Sequence, residues 1–305
     1  MTAPSCSVVV CTRHRATALA GCIESLQALE HPSYEIVVVD NSPGDDDVRR
    51  LVARAGAKYV HQPRLGLSRA RNSGAAAARG EVVAFLDDDA TADPGWLREH
   101  ESALRDRLLM VSTGRILPMA LDDPSARTYH EATLEDLGPA PLRVMPGSPW
   151  WFELANFSGL GMGGNMAFKR ELFENGWRFR ESLGMGTAMP GGEENHAFFT
   201  ILRAGHGIAY LPQALVYHYG PTDMASLRQR RMRMMRAGCA YMLMLLIEEP
   251  EYRSRTLRYV REGVRGKDRV WRPGRGGSHG PPRWQLLAAA TAAPFIYARA
   301  RLTRS

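Results

Sequence analysis

Cysteine and long apolar runs are both scarce in this chain of 305 residues. The four cysteines form no CxxC pair and no Cys/His cluster with zinc-finger spacing, so we expect free thiols in a reduced compartment. No run of about 18 apolar residues occurs, which predicts no transmembrane helix. The apolar stretch near the N-terminus follows no basic segment and is too short for a signal peptide. We therefore expect a cytoplasmic protein, either free or peripheral to the inner face of a membrane.

The main part of the chain also lacks the basic excess that nucleic-acid binding requires. Residues 1–227 hold 21 Lys and Arg against 27 Asp and Glu, a net charge of −6. Residues 228–305 hold 18 against 5, a net charge of +13. We expect no nucleic-acid partner, whereas the basic tail is suited to an anionic membrane or another phosphate-rich partner.

Hydrophobic periodicity predicts alternating strands and helices in the first 115 residues. No GxGxxG motif follows the first strand, which argues against a dinucleotide-binding oxidoreductase. The predicted strands are 7–11, 34–39, 58–61, 81–86 and 109–114, and the predicted helices lie near 19–29, 48–55, 67–79 and 96–104. This alternation is typical of an α/β fold with a mostly parallel central sheet flanked by helices. Ligands of such sheets bind at the carboxyl ends of the strands, where Asp40 and Asp87–Asp89 fall.

The second half of the chain is less regular. Residues 118–160 are rich in Pro, Gly and aromatic residues, which predicts a long loop region. Further strands are predicted at 161–168, 208–211 and 215–219, and a helix at 193–203. From residue 228 the chain becomes basic and helical, with a Gly/Pro-rich linker at 272–282. These features predict a main domain of residues 1–227, divided at residue 115, and a C-terminal extension of residues 228–305.

Three consecutive carboxylates, Asp87, Asp88 and Asp89, follow the strand predicted at 81–86. Adjacent carboxylates repel one another unless something neutralises them. A hard divalent cation, bound also by diphosphate oxygens, would do so. An acidic turn before the next helix is the alternative interpretation. A strand followed by Asp-x-Asp-x-Thr also resembles the opening motif of haloacid-dehalogenase-like phosphatases, although that motif usually lies on the first strand of those enzymes.

The motifs in their order resemble those of the family 2 inverting glycosyltransferases, which are nucleotide-diphospho-sugar transferases with the GT-A fold. SVVVCTRHR, EIVVVDNSP, GLSRARNSG and VVAFLDDDA resemble the nucleotide-sugar half of that family, within residues 1–115. GGNMAFKRELF and GGEENHAFFTILRAGHGIAYLPQALVYHY resemble its acceptor half, within residues 116–227. The resemblance implies a metal-dependent enzyme that moves a sugar from a nucleotide diphosphate donor to an acceptor hydroxyl. It favours a UDP-sugar donor and a divalent cation, Mn²⁺ or Mg²⁺, and leaves the acceptor unknown.

The resemblance also implies roles for residues of the nucleotide-sugar half. Thr12 and Arg13 would line the nucleotide pocket, and Asp40 would accept a hydrogen bond from a uracil-like base. Arg71 would lie beside the base and phosphates. For Asp40 the alternative is a turn or cap residue, and for Arg71 it is a solvated helix arginine.

Within the acidic triplet, the resemblance makes Asp87–Asp89 a DxD motif. Asp89 would be the main metal ligand, while Asp87 or Asp88 would reach the ribose or a metal-bound water; Asp87 is also a candidate metal ligand. His218 would be a further metal ligand, and a packed structural histidine is the alternative.

Two adjacent acids, Glu193 and Glu194, open the helix predicted at 193–203. The family normally has Glu-Asp here, with the Asp as general base, so Glu194 occupies the position of the base. The departure from Glu-Asp leaves open which of the two glutamates is the base, and acids favoured by the helix dipole are the alternative. A relative that binds nucleotide-sugars without turnover is the remaining alternative for the whole protein.

The basic tail begins with RQRRMRMMR at 228–236 and continues with the apolar sequence AYMLMLLI at 240–247. On one helix these would place a basic collar beside an apolar segment, which is suited to an anionic leaflet and a lipid-linked acceptor. The alternative is that 241–247 packs against the main domain.

Overall fold

The computed structural model describes residues 4–119, 136–157, 159–219, 224–264 and 283–302, and the linker predicted at 272–282 lies outside them. The strands are β1 (Cys6–Thr12), β2 (Tyr34–Asp40), β3 (Lys58–His61), β4 (Val82–Asp87), β5 (Ala90–Ala92), β6 (Leu109–Pro118), β7 (Leu142–Val144), β8 (Asn165–Lys169) and β9 (Gly207–His218). The helices are α1 (Ala16–Gln27), α2 (Asp46–Arg54), α3 (Leu67–Ala77), α4 (Trp96–Leu104), α5 (Trp151–Asn156), α6 (Arg170–Glu174), α7 (Glu193–Arg203), α8 (Met224–Glu248), α9 (Arg253–Val264) and α10 (Arg283–Leu302).

The strands form one mixed sheet in the order β3-β2-β1-β4-β8-β6-β9-β5, with β7 also paired to β9. The first four strands of this order are parallel, as the sequence predicts. Strand β8 runs antiparallel to both β4 and β6, and β5 and β7 run antiparallel to β9. The α/β architecture is therefore confirmed, with a sheet that is parallel in its first half and mixed beyond it.

Helices cover both faces of the sheet, which explains the valine-rich strands. Val9 faces one apolar core with α3 and α7, whereas Val8 and Val10 face a second core with α1 and α4. A strand buried on both faces has a continuous apolar run instead of an alternating one. The same runs bring Thr12, Asp40 and Asp87 to one edge of the sheet, since β1, β2 and β4 are parallel and in register.

Local periodicity predicted most of these elements and failed where an element is short. The region expected to be a loop, 118–160, contains β7 and α5, and the two strands expected at 208–219 are one strand, β9. Neither β5 nor α6 was predicted, because three and five residues are too few to show a period.

The C-terminal helices share the core of the main domain. Tyr241, Met244 and Leu245 of α8 are buried in the same cluster as Phe198 of α7. The expected domain boundary at residue 227 falls inside α8. This burial agrees with the alternative that 241–247 packs against the main domain, and it leaves little of that segment for a membrane. All four cysteines are free thiols, as expected.

Candidate active site

The acidic triplet lies where β4 ends and a short strand turns back. Asp87 is the last residue of β4, and β5 begins directly after Asp89. Strand β5 pairs with the end of β9, so that Ala90 lies opposite His218. This pairing places His218 Nε2 at 3.1 Å from Asp89 Oδ1. Ligand atoms of Asp87, Asp89 and His218 lie within 4.8 Å of one another.

An arginine that sequence reasoning did not single out contacts two of these carboxylates. Arg15, just before α1, donates from Nη1 to Asp88 Oδ1 and from Nη2 to Asp89 Oδ2, both at 2.6 Å. Thr12 Oγ1 donates to Asp88 Oδ2 at 2.7 Å. Arg13, which was expected to line the pocket, is exposed like Arg15 but bonds none of these carboxylates among the described residues. The CTRHR motif contains both Arg13 and Arg15, and the sequence alone does not show which of them contacts the aspartates.

The two neighbouring aspartates differ in their affinity for protons. Burial raises the pKa of Asp88 to about 6, although Thr12 and Arg15 oppose it. Burial also acts to raise the pKa of Asp89, but the hydrogen bonds and charges of His218 and Arg15 outweigh it and hold that pKa well below its ordinary value. Asp89 is therefore a permanent anion at neutral pH, as a metal ligand must be.

Arg71 lies under the site and joins three elements. Its Nη1 donates to Glu193 Oε1 at 3.0 Å, its Nη2 donates to the Gly163 carbonyl at 3.0 Å, and Asp87 Oδ1 lies 3.8 Å away. Burial acts to lower the pKa of Arg71, but Glu193 and Asp87 outweigh it and raise that pKa. The residue is buried, so the alternative of a solvated helix arginine does not hold.

The two glycines before β8 leave room for these contacts. A Cβ on Gly164 would lie 2.5 Å from Asp87 Oδ2, and one on Gly163 would lie 2.7 Å from Arg71 Nη2. Such distances are shorter than real Cβ contacts, so side chains here would displace the carboxylate or the guanidinium. The GGNM motif indicates the family resemblance, but this steric role depends on tertiary contacts that the motif does not show.

Helix α7 brings the glutamate pair to the same region. Gly192, the N-cap of the helix, has φ +80°, and a Cβ there would lie 2.8 Å from the Tyr241 ring. Only glycine fits this turn, which directly precedes Glu193 and Glu194. Both glutamates are buried. Glu193 is anchored by Arg71, while its Oε2 is buried and accepts no hydrogen bond from the described residues.

Glu194 is held differently from its neighbour. The pKa of Glu194 is raised to about 8, mainly by burial and secondly by the charge of Glu193. A carboxyl group with this pKa is mostly protonated at neutral pH, and its proton can be shared with the adjacent Glu193. Pairs of carboxylates whose environments differ in this way are frequent in sites that move protons.

Asp40 is enclosed by its own loop. Oδ1 accepts hydrogen bonds from the Ser42 amide at 2.9 Å and hydroxyl at 2.6 Å, while Oδ2 accepts from Tyr59 at 2.9 Å and from the Asp45 amide at 3.2 Å. Burial alone would raise the pKa of Asp40, but these hydrogen bonds outweigh burial and hold that pKa below its ordinary value. A nucleobase that bonded Asp40 directly would have to replace one of these four donors, because a carboxylate accepts about four hydrogen bonds in all.

The donor set suits a hard divalent cation. Two carboxylates and one imidazole converge from β4, the β4–β5 turn and β9, and a bound diphosphate would supply further oxygens. Arg15 and His218 occupy oxygens of Asp89, so a cation at this position would compete with those contacts. Asp87, Asp89 and His218 therefore fit a divalent metal, and Thr12, Arg15 and Asp88 form its border.

Comparison with known proteins agrees with this geometry. The model of glycosyl transferase family 2 matches residues 7–177, more than half of the chain. The succinoglycan biosynthesis protein ExoM of Rhizobium meliloti is 30% identical over 250 residues, which cover 75% of this chain and 71% of ExoM.

Two solved structures share the fold at 18% identity. The mannosyltransferase PcManGT from Pyrobaculum calidifontis, in complex with GDP-Man and Mn²⁺, superimposes with a TM-score of 0.56 over 99% of this chain and 74% of that one. S. aureus TarS gives a TM-score of 0.53 over 78% and 65%. The family match also leaves the phosphatase alternative without support. The chain belongs to glycosyl transferase family 2 and is a glycosyltransferase with a GT-A-like fold.

Proposed function

We propose that this enzyme transfers a sugar, with inversion, from a nucleotide diphosphate donor to an acceptor hydroxyl. The observation that carries the proposal is the convergence of Asp87, Asp89 and His218 at the sheet edge that also borders the Glu193–Glu194 pair through Arg71. In this scheme residues 1–115 bind the donor, and residues 116–227 bind the acceptor.

Asp87, Asp89 and His218 would hold the divalent cation, Mn²⁺ or Mg²⁺. When bound, such a cation offsets the negative charge that develops on a leaving diphosphate. Thr12 and Arg15 keep Asp88 beside this position. If a cation took the place of Arg15 on Asp89, the Arg15 guanidinium would be free to bind the donor phosphates. Thr12, Arg13 and Asp88 are the other residues that we propose at the nucleotide.

Glu194 is the proposed general base. The ionised form of Glu194, which its pKa of about 8 makes the minor form at neutral pH, takes the proton of the acceptor hydroxyl. That oxygen attacks the anomeric carbon on the face opposite the diphosphate, so one displacement inverts the configuration. Glu193, fixed by Arg71, positions Glu194 and raises its pKa. We assign these roles because Arg71 holds Glu193, whereas a base must be free to exchange its proton.

The donor and acceptor follow from weaker signals. The proposal of a UDP-sugar rests on the position of Asp40 at the end of β2, and it requires the uracil N3–H to replace one of the four donors that now bond Asp40. The structure of PcManGT holds GDP-Man instead. The succinoglycan role in the name of ExoM supports a saccharide hydroxyl as acceptor.

The test is a panel of UDP- and GDP-sugars incubated with the enzyme, Mn²⁺ and simple glycosides, with release of nucleoside diphosphate as the readout. We expect release from at least one donor, abolished by EDTA and restored by Mn²⁺ or Mg²⁺. Metal-independent release, or a metal-dependent loss of inorganic phosphate from phosphomonoesters instead, would contradict the proposal.

A further inference from the structure

Helix α10 has an apolar face that points away from the protein. Its four large members have high exposed fractions, namely Trp284 64%, Leu287 68%, Phe295 77% and Leu302 80%. Their spacing of three, eight and seven residues puts them on one side of the helix at 3.6 residues per turn. Thr291, Pro294 and Ala298, which are also exposed, fill the same side, so this outward face carries no charge.

The opposite side of α10 fixes the helix to the protein. Ala289, Ala293, Tyr297 and Ala300 are buried. The Tyr297 hydroxyl donates to Glu248 Oε1, at the end of α8, at 2.9 Å. A soluble surface helix normally turns a polar face to water. Here both sides are apolar, and the outward face has no covering among the described residues.

The charges around this face favour an anionic occupant. Helix α10 contains no Asp or Glu, and Arg299 and Arg301 near its end are exposed, with Arg301 Nη1 at 3.8 Å from Glu248 Oε1 of α8. The neighbouring helix α8 adds the exposed Arg228, Arg233 and Arg236. A second copy of the chain placed on the same face would bring like charges together, whereas an anionic surface would meet them with opposite charge.

A basic cavity adjoins the same end of α10. It has a volume of about 610 Å³ and is lined by Arg69, Arg180 and Arg299, together with Glu181, Ser182 and Thr187. Guanidinium and hydroxyl groups are the donors that phosphate oxygens prefer. Arg69 is paired with Glu181 at 3.0 Å and Arg180 with Glu248 at 2.6 Å, so a phosphate headgroup would compete with these carboxylates. The lining still has three guanidinium groups and one carboxylate, an excess of positive charge beside the apolar face.

We propose that the enzyme binds a phospholipid surface with anionic headgroups through the outward face of α10. The helix then lies in the plane of the membrane. Trp284, Leu287, Phe295 and Leu302 enter the boundary between headgroups and acyl chains, while Arg299 and Arg301 meet phosphates. Of the described helices, none has both the length and the apolar character to cross a bilayer, which fits a helix that lies on the surface. This proposal places the membrane contact on α10 and not on the segment 228–247, whose apolar residues are buried or half-buried except for Met234 and Ile247.

Vesicle cosedimentation of the full chain tests this docking. The variant Leu287→Glu/Phe295→Glu puts two charges on the outward face. Leu108→Glu, at a residue with an exposed fraction of 60% in the turn before β6, is the control for one added charge away from that face. We expect wild type and Leu108→Glu to bind phosphatidylglycerol vesicles at low salt. The double variant should bind at least tenfold more weakly with an unchanged melting temperature, since both replaced side chains face outward.

Two further arms separate the contributions and the alternative occupants. Phosphatidylcholine vesicles and high salt should each weaken wild-type binding, because the arginine contribution is screened while the apolar one is not. Failure of wild type to bind anionic vesicles, or equal binding by the double variant, would overturn the proposal. So would a wild-type dimer in light scattering that the double variant converts to a monomer, since a second copy would then cover the face. None of these readouts depends on sugar transfer.

Discussion

At the scale of single residues, the two glutamates at the start of α7 have different surroundings. Glu193 bonds Arg71 at 3.0 Å, whereas burial and the charge of Glu193 raise the pKa of Glu194 to about 8. The sequence placed both acids at a helix start but could not separate them, because the difference comes from Arg71, which lies 122 residues away along the chain.

The variant Glu194→Gln tests the assignment of the base. Glutamine has the same shape but cannot take a proton, so transfer should fall by about 10² to 10⁴ while donor affinity is retained. Glu193→Gln is the comparison, and it should change turnover less if Glu193 only positions its neighbour. Steady-state rates with the best donor and a binding titration give both quantities. A Glu194→Gln enzyme with wild-type turnover would remove Glu194 from the mechanism.

The raised pKa of Glu194 also predicts a pH-dependent stability. Because the pKa is above its unfolded value, the folded state binds more protons between about pH 4.5 and 8. The contribution of this residue to stability is therefore complete below that window and is lost as the pH rises through about 8. Glu194→Gln has no such loss, so its melting temperature should exceed that of wild type by a few degrees at pH 8 and approach it at pH 5. Parallel melting curves at all pH values would show that Glu194 is not perturbed in this way.

Two residues show the limit of motif reasoning at this scale. Asp40 lies at the predicted strand end, yet all its hydrogen-bonding capacity serves Ser42, Asp45 and Tyr59. Arg15 was not singled out, although it bonds both Asp88 and Asp89. A motif indicates where a polar residue stands along the chain, while its partners depend on tertiary contacts.

At the scale of elements, the start of β8 requires glycine for a steric reason. In Gly164→Ala the new Cβ would meet Asp87 Oδ2 at 2.5 Å, so Asp87 must move away from Asp89 and His218. We expect Mn²⁺ affinity to weaken at least tenfold, measured by titration with nucleoside diphosphate present. Gly21→Ala on α1, where a Cβ meets nothing within 4 Å, is the control and should bind like wild type. Unchanged Mn²⁺ affinity in Gly164→Ala would argue against Asp87 as a ligand.

The position of His218 is also decided between elements. The sequence indicated a histidine at a strand end, which fits a packed residue as well as a ligand. The three residues of β5 decide its place, because they pair Ala90 with His218 directly beside Asp89. Such a strand is too short to predict, so the proximity of His218 to Asp87 and Asp89 could be inferred only from the family resemblance.

At the scale of the whole molecule, the tail and the main domain share one apolar core. Ala293 of α10 is buried in that core, so Ala293→Glu would bury an unpaired charge and should cost about 3 kcal/mol or more. We expect one cooperative unfolding transition at a lower midpoint in denaturant. Ala298→Glu, exposed on the same helix, is the control and should change the midpoint little. Two separate transitions, with only one shifted, would support the independent extension expected at residue 228.

The overall architecture was largely readable from the sequence, because valine runs and helix periods in the first 115 residues are long and regular. The antiparallel β8 was not, since strand direction depends on the path of the chain through residues outside any period. The burial of 241–247 was weighed as an alternative and could not be decided, because an apolar segment fits a core and a membrane equally well.

The central claim is that Asp87, Asp89 and His218 form the divalent-cation site for a nucleotide diphosphate donor. Calorimetric titration of UDP and of GDP into the enzyme, with Mn²⁺ or with EDTA, tests it most directly. We expect that one nucleotide binds only with the cation, that Asp89→Ala loses this binding, and that Asp47→Ala, at an exposed acid of α2, retains it. Equal binding in EDTA, or wild-type Mn²⁺-dependent binding by Asp89→Ala, would contradict the account.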